Sequence, residues 1–273
     1  MTVHHMNHAP APLTSSSLGP SHITIDARNV ILALGSGSAR VEILRGIDLA
    51  VGRGEIVALL GPSGSGKSSL MAVLSGLERA SAGSINVAGA DFGALGEDGL
   101  ALARRGRIGI VLQAFHLLPT MTALENVAVP LELAGAQDAF DRAAAELAAV
   151  GLAHRTSHYP AQLSGGEQQR VAIARATAPN PAILFADEPT GNLDAATGAA
   201  IMDLLFDRQR ETGATLLMIT HDPALAARCS RVVEMRDGLI VGDNTIHHAE
   251  LSASTPHPHD GIRRTVDPET SSG

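Results

Sequence analysis

Three short segments of the chain contain the residue types best suited to phosphate chemistry. They are GPSGSGKS at residues 61–68, LSGGEQQR at residues 163–170 and DEPTGNLD at residues 187–194. The first combines glycines with a lysine and a serine, the second places a serine before two glycines, and the third begins with two adjacent carboxylates. Glycine-rich loops turn backbone amides toward anions, and carboxylates bind metal ions or activate water. Together the segments predict a site that binds and hydrolyses ATP.

The first segment fits the pattern of a glycine, four residues and then Gly-Lys-Ser, and it follows the apolar run EIVALL at residues 55–60. This order predicts a strand, a phosphate-binding loop and a helix that begins near Lys67. Lys67 is predicted to reach the β- and γ-phosphates, and the Ser68 hydroxyl is predicted to ligate Mg²⁺. We assign to ATP the whole segment and the serine that follows it: Gly61, Pro62, Ser63, Gly64, Ser65, Gly66, Lys67, Ser68 and Ser69.

The second segment contains a further candidate anion site. Ser164, Gly165 and Gly166 precede a predicted helix at residues 167–178. A serine at an N-cap with small neighbours exposes amides and the positive end of the helix dipole. Because residues 61–68 already supply one phosphate cradle, we expect this one to close over the γ-phosphate of ATP held by another subunit. An ordinary capped helix would explain the serine but not the two glycines.

The third segment follows the apolar run AILFA at residues 182–186, which does not alternate with polar residues. Such a run is typical of a strand buried on both faces of a parallel sheet. Asp187 and Glu188 follow at its carboxyl end, where ligands collect in open α/β sheets. Asp187 is predicted to hold Mg²⁺ and Glu188 to act as general base toward the attacking water. An isolated acidic pair would more simply be a solvated turn, but the other two segments favour the catalytic interpretation.

The chain resembles the nucleotide-binding subunits of ATP-binding cassette (ABC) transporters. The resemblance rests on the three segments together with Gln113 and His221, and it extends from about residue 23 to residue 241 of this chain. The resemblance implies an α/β fold of the P-loop NTPase, ABC ATPase type, with a mostly parallel core sheet, a small antiparallel β-subdomain and an α-helical subdomain. It also implies that Gln113 joins the metal site to the helical subdomain and that His221 contacts the γ-phosphate and the water. Asp194 is implied to lie at a dimer interface, beside the phosphate loop of the partner.

Two further stretches, LLPTMTALENV at residues 117–127 and TGNLD at residues 190–194, resemble one branch of that family. It is the lipoprotein-release, macrolide-export and cell-division group, and its YbbA-like members are the most similar. This resemblance implies two partners, a second copy of the chain in an ATP-sandwich dimer and an integral membrane permease with an extracytoplasmic domain. It implies a peripheral location on the cytoplasmic face of the cell membrane and the export or extraction of a lipophilic substrate or lipoprotein.

One feature that is common in the family is missing from the sequence. ABC ATPases commonly stack adenine on an aromatic residue upstream of the phosphate loop, but residues 23–56 contain no Phe, Tyr or Trp, and Leu34 stands near the expected position. Stacking of a base on an aromatic side chain is worth about 1–3 kcal/mol. We therefore expect nucleotide binding that is weaker or less base-selective than is usual in the family, with the triphosphate contacts intact.

Two alternatives of other classes are compatible with the same motifs. A soluble or regulatory ABC ATPase of the cell-division or DNA-repair type would use them without transport, although DNA-repair members insert long coiled coils or basic arms. A signalling module could bind ATP without useful turnover. The net charge of −8 and the single short basic cluster, RRGR at residues 104–107, argue against nucleic acid as a partner.

The predicted organisation is a single domain between two short tails. Residues 1–22 and 246–273 are poor in core residues and are expected to be flexible, and their scattered histidines offer a weak alternative as metal ligands. Residues 23–245 form the predicted nucleotide-binding domain, with a helical subdomain at about residues 100–165. No apolar run approaches the roughly 20 residues of a membrane span. The one cysteine, Cys229, is expected to be buried in a helical stretch.

Overall fold

The structure is a computed structural model that describes residues 22–35 and 40–246. The predicted tails lie outside the described residues apart from His22 and Ile246. The sequence GSGS at residues 35–38 predicts a turn, and of these four residues only Gly35 is described. The described strands are β1 Ile23–Leu34, β2 Val41–Gly52, β3 Ile56–Leu60, β4 Ala82–Val87, β5 Ala90–Asp91, β6 Ile108–Leu112, β7 Ile183–Asp187, β8 Thr215–Ile219, β9 Arg231–Arg236 and β10 Leu239–Thr245. The α-helices are α1 Lys67–Leu74, α2 Glu97–Arg104, α3 Ala123–Leu133, α4 Ala139–Ala149, α5 Gly165–Thr177, α6 Ala195–Thr212 and α7 Pro223–Ala226.

The central sheet has six strands in the order β10-β9-β3-β8-β7-β6. Strands β9, β3, β8, β7 and β6 run parallel, and β10 is antiparallel to β9. Strand β8 is buried along its whole length and β7 along all but its last residue, as their continuous apolar runs predict. Because the strands are parallel, their carboxyl ends bring the loops after β3, β6, β7 and β8 to one edge.

A separate four-stranded antiparallel sheet has the order β2-β1-β4-β5. Its inner face, which includes Ile25, Leu44 and Val51, packs against α1 and one face of the central sheet. The other face of the central sheet packs against α3, α4, α5 and α6 through residues such as Val127 and Leu205. The chain thus has the mostly parallel core, the small antiparallel sheet and the group of helices that the sequence predicts.

The stretch expected to be mostly helical also contains a strand of the central sheet. Strand β6 lies between α2 and α3 and ends one residue before Gln113. Gly109 on this strand approaches α5 so closely that a Cβ atom would lie 2.4 Å from the carbonyl oxygen of Ala176. The sheet is therefore in direct backbone contact with the helix that Ser164 caps.

Two remaining features bear on reactivity and on membrane insertion. Cys229 is buried, but it lies just beyond α7 rather than inside a helix, and burial raises the pKa of its thiol to about 12. Its thiolate is therefore scarcely populated near neutral pH.

Among residues 22–35 and 40–246, none of the helices combines the length and the hydropathy needed to cross a bilayer.

Candidate active site

The loop between β3 and α1 has the backbone shape of a phosphate cradle. Gly61, Gly64 and Gly66 all have positive φ angles, of 153°, 79° and 99°. A Cβ atom on Gly61 would lie 2.2 Å from the carbonyl oxygen of Met235 on β9, so the loop packs tightly against the sheet. A Cβ atom on Gly64 would meet nothing within 4 Å, which leaves the outer side of the loop open. The loop can thus present its amides to an anion at the start of α1.

Lys67, the first residue of α1, directs its ammonium group back over the loop. Its Nζ atom donates hydrogen bonds to the carbonyl oxygens of Gly61, at 2.9 Å, and Pro62, at 2.8 Å. The side chain is almost completely buried. The lysine charge is therefore held at the mouth of the loop, where the terminal phosphates of a nucleotide would lie.

Ser68 and Asp187 bring two oxygen ligands together beside the loop. The Ser68 hydroxyl donates to Oδ1 of Asp187 at 3.4 Å, although the two residues are 119 positions apart in the sequence. Burial raises the pKa of Asp187 and the neighbouring Glu188 raises it further, whereas the Ser68 hydrogen bond and the charge of Lys67 lower it. Hydroxyl and carboxylate oxygens are suitable ligands for Mg²⁺, which also takes oxygens from bound phosphates. The predicted metal ligands Ser68 and Asp187 thus fit the ion.

Glu188 and His221 form the second pair of side chains at this edge. Oε1 of Glu188 lies 3.4 Å from Nδ1 of His221, and the glutamate is half-buried while the histidine is largely exposed. Glu188 has a φ angle of 42°, which is left-handed and unusual for a residue other than glycine. Its N–H donates to the carbonyl oxygen of Ile219 at 3.1 Å, and its carbonyl accepts from Gly191 at 2.9 Å. The ends of β7 and β8 together hold the carboxylate in this position.

One cavity of 610 Å³ joins the phosphate loop and the start of α1 to Glu188 and His221. It is lined by Ile43, Gly61, Ser63, Gly64, Gly66, Lys67, Ser68, Ser69, Glu188 and His221. The lining combines the phosphate cradle with the predicted base, Glu188, and the predicted histidine, His221, which are 121 and 154 residues after Lys67 in the sequence. Sequence reasoning did not identify Ile43, an apolar residue of β2 with no motif around it.

The serine of the second segment caps α5 as predicted, and the helix begins at Gly165, two residues earlier than expected. Ser164 Oγ accepts from the N–H of Glu167, whose carboxylate in turn accepts from the N–H of Ser164. A Cβ atom on Gly166 would lie 2.7 Å from Cγ2 of Thr197 at the start of α6. Ser164, Gly165 and Gly166 do not line the 610 Å³ cavity. The two predicted phosphate sites are therefore separate surfaces of one chain.

Gln113 contacts the loop between β7 and α6. The Nε2 atom of Gln113 donates to Oδ1 of Asn192 at 3.3 Å, and Nδ2 of Asn192 donates to the backbone carbonyl of Gln113 at 2.9 Å. A Cβ atom on Gly191 would lie 2.6 Å from Gln113 Nε2, so a larger residue there would displace the Gln113 side chain from its observed position. Gln113 makes no hydrogen bond to Ser68 or Asp187, and its predicted role as a metal ligand stays a prediction. Asn192, which the motif contains but sequence reasoning did not use, is its observed partner.

Asp194 stands at the end of the same loop as the N-cap of α6. Its Oδ1 atom accepts from the N–H of Thr197 at 3.0 Å, and the hydrogen bonds with Thr197 lower the pKa of its carboxyl group. The aspartate is exposed. The structure of a single chain leaves its predicted position at a dimer interface a prediction.

Arg175, near the carboxyl end of α5, holds the segment that follows Gln113. Its guanidinium donates to the carbonyl oxygens of Phe115, at 2.8 Å, and His116, at 2.6 Å. Both of these residues have positive φ angles, of 60° and 47°, a conformation that needs support from its surroundings. The helix capped by Ser164 is therefore also tied to the loop that contains Gln113, a link that no motif in the sequence indicates.

Comparisons with known proteins extend these observations. The family described as "ABC transporter" matches residues 44–191. The ATP-binding protein YbbA of Escherichia coli (strain K12), named as an uncharacterized ABC transporter component, is 48% identical over 80% of this chain and 97% of its own length. The lipoprotein-releasing system ATP-binding protein LolD of Geobacter metallireducens is 47% identical over 80% of this chain and 98% of its own. The dimeric ATP-binding cassette MJ0796, solved in a post-hydrolysis state bound to ADP and Pi, has a TM-score of 0.76 and 37% identity, and the match covers 82% of this chain and 99% of that one.

Proposed function

The chain belongs to the ABC transporter family of ATP-binding proteins, and we propose that it is the ATP-hydrolysing subunit of an exporter or lipoprotein-releasing transporter. The observation that carries this proposal is the single cavity that joins the phosphate loop and Lys67 to Glu188 and His221. The relatives named above are transporter components, which supports transport over the soluble or regulatory alternative. We infer that the cargo is a lipophilic substrate or a lipoprotein, as in the branch that the sequence resembles.

We infer that ATP is bound between two copies of the chain. The phosphate loop of one copy would hold the triphosphate, and Ser164, Gly165 and Gly166 of the other would cover the γ-phosphate. The separation of these two surfaces within one chain supports this arrangement, because neither surface can complete the site alone. The dimeric form of the similar cassette MJ0796 supports it as well. Asp194, which is exposed at the start of α6, would lie at the same interface.

Hydrolysis would follow from the groups around the cavity. Glu188 would accept a proton from the attacking water, and His221, 3.4 Å from that carboxylate, would hold the water and the γ-phosphate in place. Lys67 would exchange its carbonyl partners for phosphate oxygens. A Mg²⁺ ion held by Ser68, Asp187 and, through a small shift of its side chain, Gln113 would neutralise charge on the β- and γ-phosphates.

A groove of 540 Å³ beside β6 is the proposed docking surface for the permease. The exposed side chains of Leu77 and Leu133 line it, together with Arg104, Arg105 and Arg175. Apolar side chains rimmed by guanidinium groups fit an apolar helix that carries a carboxylate. Docking there would place the chain on the cytoplasmic face of the membrane, and the permease is proposed to carry an extracytoplasmic domain.

The first test is the substitution Glu188→Gln. Loss of a general base lowers turnover by about 10²- to 10⁴-fold, so we expect ATPase activity to fall by at least about 100-fold while ATP-bound dimers persist. Steady-state phosphate release and size-exclusion chromatography with ATP measure the two effects. Lys67→Ala is the matched variant, and it should weaken nucleotide binding itself. Rapid hydrolysis by the Glu188→Gln protein would contradict the role of Glu188.

A further inference from the structure

The hydroxyl proton of Ser164 already has an acceptor in the isolated chain. Ser164 Oγ donates to Oε2 of Glu167 at 2.9 Å, and the Ser164 N–H donates to the same oxygen at 2.8 Å. Hydrogen bonds from Ser164 hold the pKa of Glu167 below its ordinary value, so the side chain is an anion at neutral pH and accepts only. A hydroxyl group has one proton. A γ-phosphate that approaches Ser164 must therefore displace this bond or leave the serine without a proton to offer.

Arg155 occupies the other oxygen of the same carboxylate. Its Nε atom donates to Oε1 of Glu167 at 2.9 Å, and both side chains are partly exposed. Nη1 of Arg155 also lies 3.1 Å from Nε2 of His158, which holds the guanidinium in place. A carboxylate this close to Ser164 would repel the γ-phosphate, and the guanidinium offsets that charge.

From this geometry we propose that Arg155 and Glu167 are positioning residues that control how readily Ser164 binds the γ-phosphate of the opposite subunit. The inference rests on the proposed function, in which Ser164 contacts that phosphate. Glu167 competes with the phosphate for the hydroxyl proton and weakens closure of the dimer. Arg155 restrains the carboxylate and reduces its repulsion, so it strengthens closure. The pair therefore sets the concentration of ATP at which two chains associate.

The chain contains a second capping box that serves as an internal control. At the start of α3, the Thr122 N–H and hydroxyl donate to Oε2 of Glu125 at 2.7 and 2.8 Å, and the Glu125 N–H donates to Thr122 Oγ1 at 3.2 Å. These are the same three bonds as at α5, but within the described residues Glu125 has no ion-pair partner. A capping box alone is therefore sufficient to begin a helix here, and the arginine is an addition specific to the box at Ser164.

The test measures ATP-driven dimerisation in the Glu188→Gln background, by light scattering over a series of ATP concentrations. Interactions of partly exposed charges change an equilibrium by up to about fivefold. Glu167→Gln, which keeps the capping geometry, should lower the half-maximal ATP concentration by about fivefold. Arg155→Met should raise it by about fivefold, but by less than about twofold when Glu167→Gln is also present. Arg155→Lys, which keeps the positive charge, should have a half-maximal ATP concentration close to that of the protein with Arg155. Glu125→Gln should leave this concentration unchanged.

The outcomes separate the two proposals. Failure of the Glu188→Gln protein to dimerise with ATP would overturn the proposed function. Dimerisation with the same ATP dependence in the Glu167→Gln and Glu125→Gln variants would overturn the inference alone, because the bond to Ser164 would then act only as a helix cap. Thermal unfolding midpoints show whether each variant is folded, and if Arg155→Met is not, the comparison of Glu167→Gln with Glu125→Gln decides the question.

Discussion

Asp187 and Glu188 are adjacent in the sequence but have different surroundings. Asp187 ends β7 beside the Ser68 hydroxyl, and burial raises the pKa of its carboxyl group. Glu188 turns away through a left-handed backbone, with a φ angle of 42°, and its carboxylate lies beside His221. Such a conformation costs about 1–3 kcal/mol and persists only where the surroundings hold it. The strand end thus directs one carboxylate to the proposed metal and the other to the proposed water.

The raised pKa of Asp187 predicts an opposition between stability and function. A carboxyl group whose pKa is higher in the folded state stabilises the fold at pH values below its ordinary pKa, and this contribution is lost as the pH rises through the folded value. At pH 7 the ionised side chain therefore destabilises the nucleotide-free protein. We expect Asp187→Asn to raise the melting temperature at pH 7, and the gain should shrink toward zero as the pH falls below the usual range of aspartate.

The same substitution should lower Mg²⁺-dependent ATPase activity by at least about 100-fold. Mutation of residues that only hydrogen-bond to a metal ligand already lowers metal affinity or activity by about 10- to 100-fold, and Asp187 is a proposed ligand itself. Differential scanning calorimetry over a pH series, together with an ATPase assay, checks both effects. Ser68→Ala is the matched variant, because it also removes a ligand but leaves the buried charge in place. A lower melting temperature for Asp187→Asn at pH 7 would contradict this account of Asp187.

At the scale of elements, the sequence predicted the loops, strands and helices that depend on adjacent residues, but it did not predict contacts between residues that are far apart in the chain. The phosphate loop, the strand before Asp187 and the capped helix after Ser164 each depend on a few adjacent residues, and all three are present. The partners of Gln113 and Arg175 were missed, because Asn192 is 79 positions from Gln113 and Phe115 is 60 positions from Arg175. Only the packing of β6, α5 and the loop after β7 brings such residues together.

That packing makes Gly109 a sensitive position. Its Cβ atom would lie 2.4 Å from the carbonyl oxygen of Ala176 and 2.6 Å from Cδ2 of Leu184, so Gly109→Ala must push α5 away from β6. Overpacking of this kind costs about 1–3 kcal/mol. We expect the melting temperature to fall by roughly 2–12 °C, since each 1 kcal/mol corresponds to about 2–4 °C in a domain of this size. Thermal unfolding followed by circular dichroism measures the change.

Gly96 provides the control for this substitution. It also lacks a positive φ angle, and a Cβ atom there would meet nothing within 4 Å. Gly96→Ala should shift the melting temperature by much less than Gly109→Ala does. Equal shifts for the two variants would mean that the contact between β6 and α5 does not limit stability.

For the whole molecule, we propose different roles for two separate surfaces beside the central sheet. Its carboxyl edge carries the cavity of the proposed ATP site, and the groove lined by Leu77 and Leu133 lies on the side of α2 and α3. The two leucines are 53% and 60% exposed, which is unusual for large apolar residues without a partner. The sequence alone could not identify this surface, because its residues come from four separate stretches of the chain.

A charge placed in the groove should therefore separate partner binding from catalysis. We expect Leu133→Glu to abolish co-purification of a membrane protein from detergent-solubilised membranes of the host while the isolated subunit keeps its ATPase activity within about twofold. The new carboxylate would disrupt the apolar contact, repel the carboxylate that we propose on the partner helix and compete with it for the arginines. Leu239→Glu, at an exposed leucine outside the groove, is the control. Retention of the partner by the Leu133→Glu protein would place the docking surface elsewhere.

The two attachments of α5 give this helix a mechanical consequence. Ser164 caps one end, and Arg175, which lies near the other end and lines the groove, holds the backbone of Phe115 and His116. From the serine to the arginine the helix measures roughly 17 Å at about 1.5 Å per residue, so a tilt of about 10° at the arginine moves the serine by roughly 3 Å. That displacement equals the length of a hydrogen bond. If a partner docks in the groove as proposed, the helix would act as a lever arm, and a small displacement at Arg175 would change whether Ser164 reaches the γ-phosphate of the opposite subunit.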